Sequence, residues 1–381
     1  MLSYGRQTID DDDIAAVVDA LRAPMLTCGP LVERFEHALA EAITGGVRGD
    51  CVSACSSGTA ALHLAYAALG IGPGDEIITS PVTFSATAAA AYYVGATVRI
   101  ADVDPATGNL EPTSIDSLIT SRTRAIVPVH LAGQPADLAE IHAIALRHGL
   151  LVIEDACHAL GASYRGTPIG GATGSDAVVF SFHPVKHVTT GEGGAVIVRD
   201  PAVKQRIDRL RHHGIAKTAG GYEVAELGWN YRLPDINCAL GISQLAKLSR
   251  FVARRRALAA MYRARLAAVP AIACPPELAD RASSYHLFAV AIDFAALGTT
   301  RADVVSVLAQ RGVGTQVHYP PLHTHPLHRA RCAVEGDLAR PRVGSDRYFA
   351  RTLSLPMYPA LTDGDVDRVV AALLTTLGVL P

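Results

Sequence analysis

From Glu76 onward the chain alternates short apolar runs with segments of helical spacing. Glu76–Ser80 reads as a strand. Thr83–Val94 is Ala-rich and helical, and Gly95 stops it. Thr97–Ala101, Ala125–Val129, Leu150–Ile153, Ala177–Phe182 and Ala195–Arg199 read as further strands, and Asp137–His148 as a helix ending at Gly149. Strands alternating with helices imply a mostly parallel sheet covered on both faces. In such sheets ligands sit at the carboxyl ends of the strands. After Pro234 the rhythm changes. Ile236 to about Ala268 reads as one long helix with a basic surface patch at Arg254–Arg256. A Pro-containing segment, Pro270–Pro276, follows, then a strand at Leu287–Asp293, a helix near Ala302–Arg311 and a last helix from about Asp363. The pattern divides the chain into an arm (1–13), a large domain (14–245) and a smaller α+β domain (246–381). The acidic run Asp10–Asp13 sits where carboxylates cap and favour a helix N-terminus.

Composition narrows the function classes. The 381 residues carry 34 basic and 36 acidic side chains, without the basic excess of a nucleic-acid or membrane-surface protein. No apolar run approaches the roughly 20 residues of a membrane span, and Met1–Asp13 lacks the features of a secretory signal. A cytoplasmic location is the expectation. The seven cysteines, Cys28, Cys51, Cys55, Cys157, Cys238, Cys274 and Cys332, contain no C-x-x-C pair, and most read as buried thiols. Lysine occurs only at 186, 204, 217 and 247. Because arginine forms no stable imine, any amine-to-carbonyl chemistry has four candidates.

Three segments hold the candidate chemistry. Ser56-Ser57-Gly58-Thr59 leads straight into an apolar helix, Ala60–Leu69, and exposed N–H groups at a helix start suit a phosphate. Taken alone, an ordinary cap explains it as well. Leu150–Ile153 ends in Glu154-Asp155, which places carboxylates at a strand's carboxyl end, suited to a cationic ring nitrogen or to capping the next turn. His158 follows three residues later. Phe180–Gly194 runs from a strand end through Ser181, His183, Pro184, Lys186 and His187 into a Gly-rich turn. A lysine in that loop, within reach of a phosphate cradle, suits a pyridoxal cofactor. The order of the three is the informative signal. Trp229–Leu233 and Val317–Pro321 are supporting segments.

The chain resembles the DegT/DnrJ/EryC/StrS sugar aminotransferases over nearly its whole length. The matching segments are SSGTAALHLA (Ser56–Ala65), GDEIITSPVTFSATA (Gly74–Ala88), VIEDACHALGA (Val152–Ala162), SFHPVKHVTTGEGGA (Ser181–Ala195) and GWNYRLPDI (Gly228–Ile236). The resemblance implies the type I aminotransferase fold, pyridoxal 5'-phosphate as cofactor, and a homodimer with shared active sites. By position it implies that Lys186 carries the cofactor and Asp155 pairs with its ring nitrogen. His158 corresponds to the contact with the ring hydroxyl. Ser57, Gly58, Thr59 and Ser181 correspond to the phosphate site, and Phe84 to the stacking aromatic. Asn230 corresponds to the residue that reaches the phosphate from the other subunit. Tyr4, His183, Arg232, His318 and Tyr319 are the implied substrate contacts.

The lysine at 186 favours transamination over the dehydration performed by relatives with histidine there. His158, His183-Pro184-Val185-Lys186-His187 and Gln316–Tyr319 look most like pseudaminic-acid-pathway transaminases. That implies amino transfer from L-glutamate to the 4-keto group of a UDP-linked 4-keto-6-deoxy-N-acetylhexosamine. Tyr4-Gly5-Arg6 departs from the Pro-containing pattern of that group. A dTDP- or GDP-linked ketosugar or a ketocyclitol is the alternative substrate. Two other classes remain. One is a cofactor-binding regulator without turnover, which the intact Lys186 and Asp155 oppose. The other is a metal enzyme built on His318, His323, His325 and His328 or on His183 and His187. No carboxylate stands at metal-site spacing, and Pro184 breaks the helix that would pair the last two.

Overall fold

The computed structural model describes residues 1–44, 51–171, 174–331 and 342–379. A seven-stranded sheet forms its centre: β1 (Val52–Cys55), β2 (Glu76–Thr79), β3 (Thr97–Ile100), β4 (Thr123–Val127), β5 (Leu151–Asp155), β6 (Ala177–Ser181) and β7 (Gly194–Val198), in the order β1-β7-β6-β5-β4-β2-β3. Only β7 runs against the others. The strands are apolar throughout because each is buried on both faces. Ile77, Val127, Ile153, Val179 and Val196 face one core, with helices α3 (Gly58–Ala68) and α4 (Ala86–Tyr93). Their neighbours Ile78, Ile126 and Val152 pack opposite, with α5 (Leu138–His148). Val178, Phe180 and Ile197 on that same face meet α2 (Pro30–Thr44) and the helix at Asp235–Leu245.

The predicted strands all form, with ends shifted by a residue or two; β5 runs on to include both carboxylates. The helix expected from Thr83 begins at Ala86, because the Thr83 and Thr87 hydroxyls bond each other (2.7 Å) and Val82–Ser85 stays a loop. The single long helix after Pro234 is two, Asp235–Leu245 and Leu248–Leu266. At the break, Lys247 reaches back to Asp10 and Asp13, which form the capping box of helix Asp11–Arg22. Asp13 is 1% exposed and also accepts bonds from Ser243 and Gln244, so the acidic run does more than cap. The basic patch expected on the surface at Arg254–Arg256 is turned inward at its centre. Arg255 is wholly buried and donates to the carbonyls of Tyr285, His286 and Met357.

A second apolar core gathers the later part of Leu248–Leu266, the antiparallel strands Ile272–Ala273, Phe288–Ile292 and Thr352–Leu355, and the helices Arg301–Gln310 and Asp363–Leu377. The N-terminal segment zips onto it: Leu2 bridges to Val313, and the Met357 N–H donates to the Tyr4 carbonyl. Of the cysteines, Cys28 is exposed and Cys157 and Cys274 are half-buried, so only Cys51, Cys55 and Cys238 match the expected buried state; Cys332 lies outside the described residues.

Candidate active site

β1, β5 and β6 end on the same side of the sheet, and the segments leading on from those ends build one cavity of about 540 Å³. That lies within the roughly 300–1,000 Å³ usual for small-molecule sites. After β1, Ser57 caps α3 by accepting from the Ala60 N–H (3.1 Å). The first N–H groups of the helix are left facing the cavity end that Ser181 reaches from β6. Gly58 is there because nothing larger fits: a Cβ would sit 2.8 Å from Ser181 Cβ and 3.2 Å from Cys157 Sγ.

At the end of β5 the two acids part. Glu154 turns away to His130 (2.7 Å), wholly buried. Asp155 faces the cavity; its Oδ1 accepts from the Cys157 N–H (3.2 Å) and its Oδ2 from the Thr87 hydroxyl (2.7 Å). Thr83 in turn bonds Thr87, so a file of hydroxyls fixes the carboxylate from α4. His158 is 4% exposed. Its Nδ1 accepts from the Ala132 N–H (3.3 Å), which leaves Nε2 to carry the proton toward the Tyr319 hydroxyl (3.2 Å).

Lys186 stands in the turn after β6, its N–H bonded to the His183 carbonyl (2.9 Å). Burial pulls its amine below the usual lysine range, with Cys157 and Asp155 opposing. A depressed amine is what a nucleophilic lysine needs. Phe84 lies at the rim, 60% exposed, with its ring 6.0 Å from that of Tyr319. Tyr4 closes another side against His318, ring centroids 5.3 Å apart.

Twelve of the fourteen singled-out residues therefore line one cavity: Tyr4, Ser57, Gly58, Thr59, Phe84, Asp155, His158, Ser181, His183, Lys186, His318 and Tyr319. Asn230 and Arg232 do not. Asn230 is exposed and pairs with His212, and Arg232 lines a separate cleft with Nη1 2.8 Å from His212 Nδ1. Sequence reading passed over Thr83, Cys157, Glu192 and His286, which also line the cavity, and Thr87 behind it. Cys157 lies inside the segment Val152–Ala162, and a side chain two residues past a strand-end acid was the available signal. His286 comes from 128 positions beyond His158, and no local pattern announces it. The histidines of the metal alternative go to separate partners: His318 to Ser354, His328 to Ser85 and Tyr92, His323 toward Asp346. Among the described residues no three metal-ligating side chains gather.

Four buried rings around Lys186 set the response to acid. Burial holds His158, His187 and His286 well below the ordinary histidine range and His318 at about 3, with neighbouring cations adding to each. The unfolded chain protonates these rings near pH 6.5. Between there and the low folded values it binds more protons than the folded chain, so stability falls as pH falls. Each ring contributes a slope of up to about 1.4 kcal/mol per pH unit. Urea midpoints of cofactor-free protein should drop steadily below about pH 6.5. Equal midpoints at pH 7.5 and pH 5 would contradict the neutral cluster.

A doubly covered α/β sheet with a desolvated lysine at its strand ends is the architecture of the pyridoxal-phosphate-dependent transferases of type I fold. The residues fit that cofactor: an amine for its aldehyde, a helix start with a hydroxyl and a forced glycine for its phosphate, and a fixed carboxylate for its ring. Comparison with known proteins then makes the assignment specific. Residues 7–374 match the DegT/DnrJ/EryC1/StrS aminotransferase family, and the chain belongs to it. It is a pyridoxal-phosphate-dependent aminotransferase. It is 37% identical to the spore coat polysaccharide biosynthesis protein SpsC of Bacillus subtilis (strain 168), over 97% of this chain and 96% of that one. Among solved structures it is similar to Helicobacter pylori PseC, an aminotransferase involved in the biosynthesis of pseudoaminic acid (30% identity, 99% of each chain, TM-score 0.92). It is also similar to the aminotransferase TlmJ from Streptoalloteichus hindustanus (32% identity, 99% of each chain, TM-score 0.91).

Proposed function

We propose that the protein transfers the amino group of L-glutamate to the 4-keto group of a nucleotide-linked 4-keto-6-deoxy sugar, with a UDP-linked N-acetylhexosamine as the sugar. The observation that carries the reading is the meeting of Lys186, Asp155 and His158 in one cavity that Tyr4, Gln316, His318 and Tyr319 also line. The first three suit the chemistry, and the last four suit recognition of a hydroxylated ring by hydrogen bonds and aromatic faces. The similarity to PseC and to SpsC, a polysaccharide biosynthesis protein, favours a sugar of this kind.

In this reading the cofactor, when bound, supplies an electrophilic aldehyde and an electron-accepting ring. The protein does the rest. The first N–H groups of α3, with Thr59 and Ser181, hold the phosphate. Asp155 holds a proton on the ring nitrogen, and the Thr87 hydroxyl keeps that carboxylate aimed. His158 Nε2, which faces the Tyr319 hydroxyl, would turn its proton to the ring hydroxyl, and Phe84 would supply an aromatic face for the ring. Lys186 Nζ would take the proton from the α-carbon of the amino donor and pass it to the carbon that entered as the cofactor's aldehyde.

The exposed Asn230 and the half-buried Arg232 act, in the same reading, at the site of a second copy of the chain. The exposed apolar side chains Tyr222, Val224 and Leu227, at 72%, 67% and 84%, support such a homodimer. The division into an arm (1–13), a large domain (14–245) and a small domain (246–381) belongs to the reading and is supported by the two separate cores. Its setting is the cytoplasm; among the described residues no helix is long and apolar enough to cross a membrane.

The test is a panel of UDP-, dTDP- and GDP-linked 4-ketosugars and a ketocyclitol, each with L-glutamate, scored for amine product by mass spectrometry. The UDP-linked N-acetylhexosamine should show kcat/KM at least about tenfold above the rest, as expected when polar groups are matched. Preference for dTDP- or GDP-sugars would replace the substrate and leave the reaction. No turnover of any ketosugar would sink the reading.

A further inference from the structure

His286 is 4% exposed and lines the cavity beside Lys186, yet makes no hydrogen bond through its ring among the described residues. Its Nδ1 is buried without a partner. Its ring lies against that of His158, centroids 4.3 Å apart and planes 39° apart, with His187 at 5.7 Å beyond. A buried unpartnered nitrogen asks for an explanation.

The backbone that delivers His286 is unusual. Tyr285, just before it, has φ +48°, and Ala132, in the loop opposite, has φ +58°. Neither is glycine, and such conformations persist where the surroundings over-determine them, most often at functional sites. The two strained residues lie in segments clamped together. Ser284 N–H donates to the Gly133 carbonyl (3.1 Å), Leu287 N–H to the Ala132 carbonyl (3.2 Å), and the Ser284 hydroxyl to the His158 carbonyl (3.3 Å). Gly133 permits the approach: a Cβ there would meet Ser284 Oγ at 2.8 Å and both the His158 carbonyl and the His286 nitrogen at 2.9 Å. From the other side buried Arg255 bonds the Tyr285 and His286 carbonyls. The same Ala132 donates its N–H to His158 Nδ1. One clamp thus sets the tautomer of His158 and presses the face of His286 against it.

We propose that His286 is a positioning residue for the transamination. Held by Arg255 and the strained Ala132–Gly133/Tyr285 clamp, its ring backs His158 and keeps that imidazole in the Nε2–H form pointed into the cavity. Burial, with Lys186 adding to it, holds both rings neutral, which is consistent with a stack that never carries two charges. The inference rests on the proposed role of His158.

The experiment compares His286→Phe, which keeps an aromatic face, with His286→Asn, which keeps polarity and loses the face. Nitrogen-15 histidine NMR of cofactor-free protein reads the His158 tautomer, its signals assigned with His158→Gln. Stopped-flow of the L-glutamate half-reaction of reconstituted protein gives the limiting rate and the apparent Kd for glutamate. His286→Asn should mix the His158 tautomers and lower the limiting rate about tenfold or more with little change in the apparent Kd, the scale at which misplacement of a reacting group is felt. His286→Phe should restore the single tautomer and most of the rate. Unchanged His158 signals and rate in His286→Asn, or equal loss in both variants, would overturn the proposal. A wild-type protein inert to glutamate would instead fault the donor reading, while the NMR comparison would still decide the role of His286.

Discussion

Lys186→Ala protein, reconstituted with cofactor, is expected to lose at least about 10⁴-fold in the rate of 2-oxoglutarate release from L-glutamate. The figure is the upper end of what a positioned acid–base group supplies, and the lysine has a second task as the amine that meets the aldehyde. No other group can replace it. Of the remaining lysines, Lys204 pairs with Asp208 (2.7 Å), Lys247 is tied to Asp10 and Asp13, and Lys217 lies on an exposed hairpin. The cavity itself contributes no second amine. Lys186→Arg should fail as badly, since a guanidinium keeps its proton at working pH and cannot accept another. Stability should scarcely move, because removing a desolvated cation relieves a cost of burial. Circular dichroism and a urea titration check that point while stopped-flow or coupled assay reads the rate. A Lys186→Arg enzyme within tenfold of wild type would remove this lysine from the chemistry.

The strands were legible because a sheet buried on both faces needs uninterrupted apolar runs, and such runs survive in any context. The break at Ala246-Lys247 was not legible. Nothing in the local spacing marks it; the interruption comes with Lys247 pairing with acids more than 230 positions earlier. Arg255 misled for a related reason. Three successive arginines look like a solvated face, yet helical geometry turns the middle one inward, where three carbonyls await it. At the site, Lys186, Asp155, Ser181 and Gly58 could be found because each sits at a strand end or helix start with its signal in adjacent residues. His286 and Thr87 could not, since their roles exist only after remote segments meet. Asn230 and Arg232 show the complementary limit: a single chain cannot display a contact expected from a second one.

The carboxylate of Asp155 is expected to rank next after Lys186, and for a different physical reason. Asp155→Asn keeps size and shape, and its amide oxygen can still accept from the Thr87 hydroxyl, so the hydroxyl file from Thr83 through Thr87 should persist while the bond from the Cys157 N–H is lost to the amide –NH2. What disappears is a buried negative charge facing the cavity. Fixed charge in a water-poor site is worth far more than in solution, and losing one such stabilising group costs about 10²–10³-fold in kcat. Thr87→Val separates charge from aim: the carboxylate remains but loses its 2.7 Å bond. A fall of about tenfold, close to the 1.5–3 kcal/mol of a charge-assisted hydrogen bond at its lower end, is the expected result. Because these groups act as a unit, the Lys186→Ala/Asp155→Asn double variant should be little worse than Lys186→Ala alone. Full multiplication of the two losses would mean that Asp155 acts independently of the proton that Lys186 moves. An Asp155→Asn enzyme with wild-type kcat would mean that the strand-end carboxylate only caps the turn to Cys157.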